Sequence, residues 1–63
     1  MKHWRRYQYD HDLQERVEQH LELTDNGSVI GWEISESGLQ SPTVELLAED
    51  VLPPWGFEEI PRE

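Results

Sequence analysis

Polar and apolar residues alternate through the middle of the chain. Gln14, Arg16, Glu18, His20 and Glu22 are polar, while Val17, Leu21 and Leu23 take alternate positions, the period of a strand with one buried face. Asp25-Asn26-Gly27-Ser28 interrupts the alternation, and Asn-Gly favours the positive φ angles of a type I′ hairpin turn. With Asn26 and Gly27 as a two-residue loop, Asp25 pairs with Ser28, Leu23 with Ile30, Leu21 with Trp32 and Gln19 with Ile34. That register gathers the apolar residues on one face and leaves His20, Glu22, Gly31 and Glu33 on the other. The same stretch admits an alternative, a helix over 12–23. Leu13, Val17 and Leu21 recur every four residues, and Asp12 with Glu15 forms a variant of a capping box. The strand is preferred because one hairpin register accounts for more residues at once.

Trp4 to Tyr9 is aromatic and short of helix signals, and Asp10-His11-Asp12 supplies turn formers, so a first strand precedes the hairpin. Downstream, Ser41-Pro42 reads as a helix cap followed by proline at the first helical position. Val44, Leu47, Ala48 and Val51 then line one helical face until Pro53-Pro54 ends it. The expected fold class is α+β. A three-stranded antiparallel meander (3–9, 14–24, 28–35) carries one C-terminal helix (42–51), in the order βββα. Residues 1–52 form the single small domain, and 53–63 is a proline and aromatic tail packed on it, too rich in proline for regular structure.

Length and composition narrow the function. A chain of 63 residues has room for one core, worth a few kcal/mol unless something supports it. No cysteine is present, which removes disulfides and thiolate zinc sites from the possible supports. The N-terminus runs from Lys2 straight into polar residues with no apolar stretch of signal-peptide type, and no segment approaches the roughly 20 apolar residues of a membrane span. A cytoplasmic location is the expectation. Charge is the most unusual property: 14 acids face 5 Lys and Arg, a formal net of −9. Lys2, Arg5 and Arg6 stand in an acid-free segment of nine residues, so the acids all lie beyond it.

Asp10-His11-Asp12 with His3 or His20 offers oxygen and imidazole donors, but the spacing forces no convergence, and a polar turn accounts for the same residues. No nucleophile motif and no phosphate-binding glycine loop is present, so no enzyme, catalytic residue, metal or cofactor is expected. The acids instead suggest a non-enzymatic binding or regulatory protein that docks on a basic partner, in one version as a nucleic-acid mimic or inhibitor. The candidate partner-binding residues are Glu18, Glu22 and Glu33 on the outer sheet face, with Trp55 and Phe57 in the tail. Acidity that serves only solubility is the plainer account of the same residues. For Trp55 and Phe57 the plainer account is closure of the core. A nucleic-acid module built on Lys2, Arg5, Arg6 and the nearby aromatics is the alternative, opposed by the net charge. A homo-oligomer is the third possibility.

Overall fold

The structure, a computed structural model, describes residues 2–61; Met1 and the Arg62-Glu63 end of the tail lie outside them. It is a mainly β domain: β1 (Lys2–Asp10), β2 (Glu15–Leu23), β3 (Ser28–Ser35), β4 (Val44–Leu47), a one-turn α1 (Ala48–Val51) and β5 (Glu58–Ile60). The strands form one antiparallel sheet in the order β4-β3-β2-β1-β5. This corrects the βββα expectation, because two further strands stand where the helix and the irregular tail were expected. The alternative helix over 12–23 is corrected too, since β2 occupies most of that stretch.

Ser41 shows why the helix fails. Its hydroxyl accepts the Glu33 N–H at 3.0 Å and its own N–H donates to the Glu33 carbonyl at 3.0 Å. Both groups are therefore spent on β3, and none caps a helix. Val44 and Leu46 then alternate on one side of β4, which pairs with Ser28 to Gly31. A strand edge supplies tertiary hydrogen bonds that an isolated short helix cannot match. Only the four residues after Leu47 turn helical, and no side chain caps them.

The hairpin register also differs from expectation by one residue. Val17 pairs with Ser35, His20 with Trp32, Leu21 with Gly31 and Leu23 with Val29. The loop holds three residues, Asp25, Asn26 and Gly27, closed by the Thr24 N–H on the Ser28 carbonyl at 2.8 Å and the Gly27 N–H on the Thr24 carbonyl at 3.1 Å. Only Gly27 among them takes positive φ, at 85°, the left-handed residue of a three-residue hairpin loop. The consequence runs through the whole sheet: Leu21 and Leu23 share a face with Val29 and Gly31, while Ile30, Trp32 and Ile34 project from the other.

Trp4, Val17, Val29 and Ser35 are the buried residues among those described, and all four lie on the Leu21 face. The chain from α1 to β5 must pass from the β4 edge to the β1 edge. It crosses on that same side, where the Phe57 ring meets the Arg6 guanidinium at 4.4 Å. Among the described residues no helix is long and apolar enough to cross a membrane.

Candidate functional site

On the core side, strand alternation brings Arg6, Gln19 and Glu33 into one row across three strands. Arg6 donates from Nε to Gln19 Oε1 at 2.8 Å and again from its terminal nitrogen, and Gln19 Nε2 donates to Glu33 Oε1 at 2.8 Å. Beside this row lies an open groove of about 520 Å³, walled by Leu21, Leu46, Val44 and Phe57. Gly31 forms part of its lining; a Cβ there would stand 3.2 Å from Leu21 Cδ2 and 3.6 Å from Leu46 Cδ1.

The opposite face holds two aromatic groups. His20 and Trp32, opposite each other in β2 and β3, stack nearly parallel with ring centroids 5.1 Å apart, and His3 packs on both at 5.1 and 5.7 Å. His3 Nε2 and His20 Nδ1 share one hydrogen bond of 2.8 Å, so one ring donates and the other accepts. Burial first and then the neighbouring His3 lower the pKa of His20 below its ordinary 6.5, against an upward pull from Glu18, with Arg5 adding the smallest, downward effect. The second group is Tyr7, flanked by the Arg5 and Arg16 guanidinium carbons, each 5.2 Å from its ring. Arg5 Nε is buried with no hydrogen-bond partner among the described residues. These are cation–π contacts. Ile30, Trp32 and Ile34 run along β3, half-buried, with Glu18 and Glu22 beside them on β2 and exposed Glu45 on β4.

The expected site residues therefore do not form one patch. Glu18 and Glu22 share the uncovered face, with Glu18 Oε1 3.9 Å from His20 Nε2. Glu33 is corrected to the core side, where it bonds Gln19, because the register slip reverses its side of the sheet. Phe57 packs beneath Arg6, whereas Trp55 sits at the tip of a tight turn closed by the Phe57 N–H on the Pro54 carbonyl at 3.1 Å, 82% exposed. Trp55 thus closes no core. Asp10 spends Oδ1 on the N–H groups of Asp12 and Leu13, at 2.9 and 3.1 Å, and no group of three metal-ligating side chains converges among the described residues. Ile30, Trp32 and Ile34 were missed as surface residues. The signal was present in the Asp-Asn-Gly triplet, which fits a three-residue loop as well as a two-residue one.

No family model, curated protein or solved structure matches the chain.

Proposed function

We propose that this chain is a non-enzymatic binding module that docks on a basic surface of a partner protein. The observation that carries the reading is the exposed acid at the borders of the sheet, on a chain of net charge −9. The ionic contact of Glu18 is with the His20 imidazole at 3.9 Å and not with a guanidinium. Arg5, Arg6 and Arg16 stack on aromatic rings instead. Glu45, Glu49, Asp50, Glu58 and Glu59 stay exposed along the two sheet edges. There they discourage edge-to-edge pairing, and with a net charge of −9 they draw a cationic partner in at a salt-dependent rate. A nucleic-acid mimic is a special case of this reading, in which the partner is a DNA- or RNA-binding protein.

The test is a fluorescence-anisotropy titration of the chain against a Lys-rich peptide and against a short DNA duplex at low ionic strength. Capture of the peptide that weakens steeply with salt, and no binding of DNA, is the expected result. Indifference to the peptide at low salt defeats the proposal. DNA binding would favour a second reading that the Arg5–Tyr7–Arg16 cluster supports, in which cations and a half-exposed ring hold a nucleic-acid strand.

A further inference from the structure

The uncovered face combines an apolar line with a charged border. Ile30, Trp32 and Ile34 span about 13 Å along β3 at the usual strand rise. On one flank Glu22, His20 and Glu18 stand in register with them, and on the other Glu45 pairs with Ile30. The flanking strands β2 and β4 are two interstrand spacings apart, about 10 Å. An α-helix with its side chains measures about 10–12 Å across.

The geometry points to one occupant for this face: an amphipathic helix of the partner protein, its apolar stripe on Ile30, Trp32 and Ile34 and its bordering Lys or Arg residues facing Glu18 on one side and Glu45 on the other. The inference rests on the docking reading above and names the partner's form. A sheet face buries its apolar residues against a helix or a second sheet. A second sheet would extend over β1, where it meets Arg5 and the Tyr7 ring and leaves that cation beneath it. A helix needs only the β2–β4 width, and centred on Trp32 it has Glu18 on one flank and Glu45 on the other, with Arg16 beyond Ile34 at the end of β2. Recognition of this kind reads apolar anchors at i, i+3, i+4 and i+7 of the bound helix.

The experiment is an NMR titration of the full chain with a synthetic Leu/Lys peptide whose leucines follow that helical spacing, and with a control of the same composition in shuffled order. Methyl signals separate the two faces, since Ile30 and Ile34 report one and Leu21, Val44 and Leu46 the other. The expected result is a shift of the Ile30 and Ile34 methyls and the Trp32 indole with the patterned peptide, and much weaker binding of the shuffled one. The double variant Glu18→Lys, Glu45→Lys should retain the free-state spectrum and bind about tenfold more weakly. Ile34→Thr, which keeps a β-branched residue in the strand, should also weaken binding. Equal binding of the shuffled peptide overturns the helix while leaving docking by charge intact, and shifts confined to the Leu21 and Leu46 groove overturn the face. Failure of both peptides to bind removes the helix and the docking reading together.

Discussion

On one face of the sheet Trp4, Val17 and Val29 lie buried on the side where the α1–β5 crossover runs; on the other, Ile30, Trp32 and Ile34 are as apolar but only half-buried. The difference is one of topology and not of residue type. Because β5 pairs with β1 while α1 follows β4, the connecting chain can cover only the side it crosses. The covered face therefore carries stability, and the uncovered face is where a second molecule can add the missing layer.

The three tryptophans can break this comparison most directly, since each samples a different degree of cover. Trp4→Ala should cost about 3–5 kcal/mol, as much as the entire stability of a domain of this size, and leave the chain unfolded in a urea titration. Trp32→Ala should cost about 1–2 kcal/mol, chiefly the lost stack on His20 and part of its apolar burial, with a cooperative transition retained. Trp55→Ala, at a side chain 82% exposed, should shift stability by no more than about 0.5 kcal/mol. Equal losses for Trp4 and Trp32 would mean that the two faces are equally part of the core.

Two glycines sharpen the comparison at a smaller scale. Gly27→Ala forces a side chain into φ 85° and should cost about 1 kcal/mol, weakening the loop that sets the register and hence which residues reach which face. Gly31→Ala presses most closely on the flexible end of Leu21, at 3.2 Å, with the His20 carbonyl oxygen and Leu46 Cδ1 at 3.6 Å, beside an open groove. Removing a glycine from a strand gives back part of that contact cost, so the net change should stay within about 0.5 kcal/mol. Paired denaturation curves distinguish the two, and a larger loss at Gly31 would show the groove to be tightly packed.

How much of this was legible can be traced to single residues. The stretches expected as strands near 3–9, 14–24 and 28–35 lie within one or two residues of β1, β2 and β3, because alternation and the Asn-Gly turn act locally. The pairing between them was not legible, since register depends on whether the loop holds two residues or three, and Asp25 decides that only once Gly27 alone adopts positive φ. One residue of slip moved Glu33 to the core side and Trp32 to the opposite face. Val44 to Val51 fits a helix by periodicity, yet the free edge of β3 drew its first half into a strand. The link between Glu58–Ile60 and β1 depends on the crossover, which no local pattern encodes.

Acid should act on the uncovered face alone, and this is the smallest effect and the most specific. The folded state holds His20 below its ordinary pKa, through burial first and then the charges of His3 and Arg5, so the unfolded chain binds this proton more readily. Stability from this group is therefore complete above the unfolded value near 6.5, declines as pH falls through it, and levels off below the folded value. Trp32 lies parallel to His20, so its fluorescence should change together with the imidazole proton shifts in an NMR titration, while Trp4 on the covered face reports nothing. His20→Gln should remove the step, while losing the stack on Trp32 lowers stability by a similar amount at every pH. A step that persists in that variant would place the titration elsewhere and separate the stack from the acid response.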